Sequence, residues 1–301
     1  MSFRDVLRSM TPQFLLDWNR RRVKANKNKV LEVQKQQGNV LFVGDLQRAF
    51  EAAGVKKGAD VLVHSSLSKI GYVEGGPATV VQALLNAIGS EGTLLMPSSP
   101  VKVLQADHVK QEEPFNVQET PSAMGAITEV FRNWPGTLRS SHPLEPVCAN
   151  GPRAMEYISG HHLDRSSYGQ RSPWLKHMEH DGLILYIGTT LINSGTSLHA
   201  VEDVIGYEEF PYEIYLPGMA NPTVIDKGRS FTVTTKVHNP VWSAKRKCDG
   251  LIPLLEEHGA LSHEKIGAAP TLAVRAKGMK DVLLDLYYKQ GVTMYTPEGT
   301  K

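Results

Sequence analysis

Cysteine is scarce in this chain of 301 residues: there are two, Cys148 and Cys248. Two thiols without Cys-x-x-Cys spacing build neither a disulfide framework nor a zinc finger, so both read as reduced thiols. Long apolar runs are missing as well. No stretch approaches the roughly 20 residues of a membrane helix, and the first 30 residues carry no apolar core or small-residue cleavage site of a secretory signal. A cytoplasmic location without an integral membrane segment is the expectation. Several catalytic signatures are absent: Gly-x-x-x-x-Gly-Lys for a P-loop, Gly-x-Gly-x-x-Gly for a dinucleotide, Gly-x-Ser-x-Gly for a serine hydrolase. Histidines are numerous, among them His64, His142, His161, His162 and His199, but His-Glu-x-x-His does not occur, so no metal is expected.

What is present starts with 41% hydrophobic and 21% charged residues, enough apolar content for a sizeable core. The formal charge of +2 is unevenly spread. Residues 1–38 hold nine Lys and Arg against three Asp and Glu, and the rest of the chain holds 24 against 28. That basic segment contains "LLDWNRRRVKANKNKVLEVQK", with Phe14, Leu15, Leu16 and Trp18 close to Arg20, Arg21, Arg22, Lys24, Lys27 and Lys29. It reads as a helical extension that packs on the body or on a second subunit, so a homo-oligomer formed through it is one expectation. Lying on an acidic surface is the other use open to it. No nucleic-acid motif accompanies it, so nucleic acid is not an expected partner.

From residue 39 onward, short apolar runs alternate with segments of helical period, the pattern of an α/β fold. "GDLQRAFEAAGV" predicts a helix with Asp45 as N-cap and Gly54 as its stop, and "ADVLVHSS" a buried strand. "ATVVQALLNAIG" and "GTLLMPSS" repeat the alternation. "SAMGAITEVFRNW", "LEPVCANG", "RAMEYISGH", "GLILYIGTT" and "LHAVEDVIG" continue it. "YEEFPYEIYLPG" and "RSFTVTTKVHN" predict antiparallel additions in the C-terminal third, and "APTLAVRAKGMKDVLLDLYYKQG" one long closing helix. The expected architecture is a single domain over residues 39–301, with a central mixed sheet flanked by helices.

Ligands of open α/β sheets gather beyond the carboxyl ends of strands, which here carry His64-Ser65-Ser66, Ser98-Ser99 and the segment leading to His199. In "HSSLSKIGYVEGGPATVV", Gly75 and Gly76 precede Pro77 at a helix start, where free N–H groups attract anions; a plain turn uses the same residues. His199 and Glu202 in "TSLHAVED" stand three positions apart. On a helix they share a face, either as a base held by a carboxylate or as a surface pair worth a few tenths of a kcal/mol.

"GVKKGADVLVHSSLSKIGYVEGGPATVVQALLNAIGSEGTLLMPS" resembles the amino-terminal signature of the aminoglycoside 3-N-acetyltransferase family. "SSHPLEPVCANGP", "YGQRSPW", "TSLHAVE" and "IGAAPTLAVRA" resemble its later motifs in the same order, over residues 45–290. The resemblance implies direct transfer of an acetyl group from acetyl-coenzyme A, as co-substrate, to an amine of an amino-sugar or aminoglycoside. It implies His199 as general base, Glu202 as its orienting acid and Thr196 beside them. Ser65, Ser66 and Leu67 would follow the pantetheine arm, Gly75 and Gly76 the pyrophosphate, with His64, Val73 and Ser98 in the same cofactor-binding set. Antibiotic resistance and amino-sugar chemistry in polysaccharide or natural-product biosynthesis both fit. The alternative is a non-catalytic acyl-coenzyme A or carbohydrate-binding protein on the same scaffold, which would need no base.

Overall fold

The computed structural model describes Arg22, Val33 and residues 35–301. The extension expected over residues 1–38 therefore lies almost wholly outside the described residues. Seven strands form the main sheet: β1 (Asp60–Ser65), β2 (Thr93–Pro97), β3 (Leu138–Arg139), β4 (Val147–Asn150), β5 (Leu183–Ile187), β6 (Leu261–Ile266) and β7 (Ala269–Arg275). Their order is β6-β7-β5-β1-β2-β4-β3. β1 runs parallel to β2 and β5, and every other pairing is antiparallel.

Because strand side chains alternate between faces, each strand supplies two cores. Val61, Val63, Leu94, Met96, Leu185 and Ile187 point to one face. There they meet α1 (Val43–Ala52), α2 (Pro77–Ile88) and α3 (Ala126–Arg132), which contribute Phe50, Leu84 and Phe131. Leu62, Leu95, Ile184, Tyr186 and Val274 point to the other face. It is covered by α4 (Ala154–Ile158), α5 (Pro173–Glu179), α6 (Thr196–Ile205) and α7 (Ala276–Gln290). No helix among the described residues is long and apolar enough to cross a membrane.

Four expectations need correction. Phe42, not Asp45, is the N-cap of α1; Asp45 stands one turn in and accepts from the Phe42 amide at 2.9 Å. α3 starts only at Ala126, after Gly125 at φ 104°. The closing helix is two elements: residues 269–275 form β7, inserted between β5 and β6, and the helix begins at Ala276. Two waiting strand edges outweighed a local preference for helix. In the C-terminal third, Arg229–Thr232 pairs with Thr223–Asp226, whereas "YEEFPYEIYLPG" contributes only the antiparallel bridge Tyr215–His238. The main antiparallel addition there is the β6–β7 hairpin.

Candidate active site

The loop that leaves β1 begins with Ser65 and Ser66, whose amide donates to Ile187 O at 2.9 Å, and passes through the short helix Leu67–Ile70. Val73 then pairs alongside Leu41, and Gly75 and Gly76 turn the chain into α2 with φ of 75° and 64°. A Cβ at Gly75 would lie 2.5 Å from Thr79 Oγ1, so that glycine serves the turn. A Cβ at Gly76 would meet nothing within 4 Å. The space in front of this helix start is open, and Pro77 at its first position leaves the next amides facing outward. Ser65, Ser66, Leu67, Gly75 and Gly76 thus share one accessible loop system. Ser98 does not belong to its surface: it is fully buried, next to β4.

His64 is buried too, on the opposite face of β1. It stands in register with Tyr186 of β5 and stacks on it at 4.9 Å, with Trp174 of α5 on the way at 6.1 Å. From Trp174 the rings continue to Tyr168 at 6.1 Å, and Tyr168 lies 4.9 Å from His199. His238 follows at 4.3 Å from His199 and stacks on Tyr215 at 5.0 Å. A continuous aromatic wall therefore joins the end of β1 to α6. Sequence spacing carried no sign of it, because its members come from six separate segments.

On α6, His199 Nδ1 lies 2.6 Å from Glu202 Oε2, and both side chains are buried, at 4% and 6% exposure. That removes the reading of a solvated surface pair. Nε2 of His199 makes no hydrogen bond among the described residues. Thr196 is half-buried at the first turn of the same helix. Burial pushes His199 well below the usual imidazole range, helped by the Arg246 charge and by His238. Burial pushes Glu202 up to about 8, against the pull of Arg246, which favours the carboxylate.

Three charged neighbours surround the pair. Arg246 approaches the pair from the segment after Trp242, with its Nη2 on Ser243 Oγ at 3.0 Å. Asp203 is raised to about 6 by burial, although the Ser166 and Tyr215 hydroxyls donate to it. Glu145 is raised to about 7 by burial and accepts from Gln105 Nε2 at 2.9 Å. Of these, Asp203 lies inside the quoted motif "TSLHAVED" and Glu145 inside "SSHPLEPVCANGP", so only Arg246 had no legible clue.

The interior around this pair has many unmet polar atoms. Among the described residues, ten buried side-chain N and O atoms lack a partner; seven belong to His64, Trp174, Tyr186, Glu202, His238, Arg246 and Tyr295. The thiols lie apart in chemistry: burial raises Cys148 and Cys248 to about 11 each.

A family model for aminoglycoside 3-N-acetyltransferases matches residues 62–287. The chain is 35% identical over 175 residues to a SPbeta prophage-derived aminoglycoside N(3')-acetyltransferase-like protein, YokD, of Bacillus subtilis (strain 168), covering 53% of this chain and 64% of that protein. It is 33% identical over 162 residues to aminoglycoside N(3)-acetyltransferase IX of Micromonospora chalcea, covering 50% and 57%. The matches thus span less than two thirds of these relatives' lengths. Among solved structures, the fold is similar to the Bacillus subtilis YokD protein, with TM-score 0.67, 26% identity, and 80% and 91% of the two chains covered. It is similar also to sisomicin-bound AAC-VIa, with TM-score 0.66, 26% identity, and 80% and 96% covered.

Proposed function

The chain belongs to the aminoglycoside 3-N-acetyltransferase family, and we propose that it transfers an acetyl group from acetyl-coenzyme A to an amine of an amino-sugar or aminoglycoside. The observation that carries this reading is the buried contact of 2.6 Å between His199 Nδ1 and Glu202 Oε2, with Nε2 left free. An ammonium cannot attack a thioester. With Glu202 ionised, Nδ1–H donates to the carboxylate and the Nε2 lone pair takes the proton from the acceptor nitrogen as the new N–C bond forms. The carbon–sulfur bond then breaks, and the departing thiolate takes up the proton that Nε2 received, which returns the imidazole to its neutral form.

Open space at Gly76 supports seating the pyrophosphate at the start of α2, with Ser65, Ser66 and Leu67 beside the pantetheine arm. Val73 anchors that loop, while His64 and Ser98, being buried, back it from inside rather than line it. Thr196, at the first turn of α6, flanks the reacting thioester. A covalent acetyl-cysteine has little support, since both thiols are strongly disfavoured as thiolates. The likeness to sisomicin-bound AAC-VIa supports an acceptor of the aminoglycoside type, and two free thiols suit the cytoplasm.

The deciding experiment follows free thiol release from acetyl-coenzyme A with a panel of aminoglycosides and amino-sugars. His199→Ala is expected to lower turnover by about 100-fold or more, as for a lost general base, with coenzyme A affinity nearly unchanged. A folded variant that keeps most of its rate, checked by circular dichroism, removes His199 from the chemistry.

A further inference from the structure

Glu145 stands in the turn that leads into β4, beside the carboxyl end of β2. Its backbone is pinned on both sides. The amides of Leu144 and Glu145 donate to His142 Nδ1 at 3.3 and 3.4 Å, Ser99 Oγ donates to Leu144 O at 2.5 Å, and the Ser98 amide donates to Pro146 O at 2.7 Å. A side chain on a turn held this way keeps its aim.

One amide joins this carboxylate to the surroundings of His199. Gln105, at the start of the short helix Gln105–Val109, donates from Nε2 to Glu145 Oε1 at 2.9 Å, and its Oε1 accepts from the His238 amide at 3.1 Å. The His238 ring lies 4.3 Å from His199. Tyr168, whose ring is 4.9 Å from His199, feels the same carboxylate: burial first, and then Glu145, pushes its hydroxyl well above the usual range.

The other acids nearby are engaged or turned away. Glu202 Oε2 holds His199, and the two oxygens of Asp203 are taken by the Ser166 and Tyr215 hydroxyls. Glu208 and Glu209 are exposed beyond the C-terminal end of α6, the end opposite Thr196. Glu145 differs from all of them. It is half-buried, its Oε2 makes no hydrogen bond among the described residues, and Arg246 acts on it through charge alone, favouring the ionised form as Gln105 does.

We propose that Glu145 is the acceptor-selecting carboxylate: its Oε2 takes an ammonium that neighbours the reacting amine, while Gln105 keeps Oε1 in place. A half-buried carboxylate meeting a cation gains more than an exposed pair, because less water screens the contact. The acceptor selected in this way carries at least two amines, since a sugar with one amine leaves Oε2 unused once that amine faces His199. Holding the second ammonium fixes the orientation in which the reacting nitrogen meets Nε2. This rests on the acetyltransferase reading above and adds its specificity residue.

The test compares sisomicin, which has several amines, with glucosamine, which has one, each by thiol release with acetyl-coenzyme A and by calorimetric titration of the full chain. Glu145→Gln keeps the shape and can still accept from Gln105, but loses the charge; circular dichroism checks its fold. It is expected to raise KM and Kd for sisomicin about tenfold or more, with kcat falling far less. The loss for glucosamine is expected to be much smaller, so that the preference for sisomicin narrows about tenfold. Glu145→Asp restores the charge on a shorter arm and should recover part of the loss. Equal losses with both acceptors would make the role of Glu145 structural, and an unchanged affinity for sisomicin would take it out of recognition. Either result overturns the proposal while the enzyme reading stands, as does a parent protein that binds sisomicin no better than glucosamine. Absence of thiol release with every acceptor overturns the enzyme reading instead, and the calorimetric comparison still decides for or against Glu145.

Discussion

At the scale of single residues, the ionisation of Glu202 decides whether His199 can serve as the proposed base. When Glu202 holds a proton, that proton occupies the contact with Nδ1, and the neutral imidazole carries its own hydrogen on Nε2. When Glu202 is ionised, Nδ1 carries the hydrogen and Nε2 is free to accept. Burial raises Glu202 to about 8, so kcat/KM, which reports the free enzyme, is expected to climb with pH and level off above about 8. The acceptor amine's own titration also produces a rising limb, and Arg246 separates the two effects. Its charge lowers the Glu202 pKa, so Arg246→Gln is expected to move the limb to higher pH, whereas a limb set by the amine stays where it was. An unmoved profile would take Arg246 out of the control of the pair. Glu202→Gln keeps a hydrogen bond but loses the negative charge that stabilises the imidazolium, and should cost less turnover than His199→Ala. The spacing of His199 and Glu202 was readable in the chain, because helix period alone puts them on one face. Arg246 was not, since it lies 44 positions beyond Glu202 and reaches the pair only through tertiary folding.

Among the elements, α4 shows how the layers are tied together away from the site. Asp60, at the start of β1 and thus at the opposite end from Ser65, is buried. Its Oδ2 accepts from Arg153 Nη1 and from Tyr157 OH, each at 2.7 Å. Asp60→Ala leaves the buried Tyr157 hydroxyl without a partner, which costs about 1–3 kcal/mol. At about 2–4 °C per kcal/mol for a chain approaching this size, thermal unfolding should shift down by several degrees while the folded enzyme keeps its turnover. An unchanged Tm would mean that α4 is held without this contact. The elements legible in the chain are those whose pattern is local: α2, with proline at its first turn, and β1 and β5, as short buried apolar runs. "APTLAVR" misled because alanine and leucine favour a helix, while its place between β5 and β6 is a long-range fact. α5 was readable only as the motif "YGQRSPW", although Ser172 caps it by accepting from the Leu175 amide at 3.2 Å.

For the whole molecule, the proposed acetyltransferase domain spans residues 39–301, and each proposed catalytic and cofactor-binding group lies within it. Deleting residues 1–38 is accordingly expected to leave the fold and thiol release intact and to alter assembly mass in light scattering, as the proposed oligomer contact requires. A folded truncation of unchanged mass and unchanged activity would remove that contact from the extension. Complete loss of activity would show that the domain is cut too short. Composition and order along the chain determined by themselves that this is an α/β protein with a mixed sheet, that the glycine turn precedes α2, and that a histidine and a glutamate share one face of α6. These follow from nearest neighbours, from strand and helix period, and from motif order. Only the tertiary structure decided that the pair is buried, that an aromatic wall from six segments joins it to β1, and that Arg246 biases its proton. Burial and charge proximity depend on residues far apart in the chain, and those distances exist only once the sheet has closed around both cores.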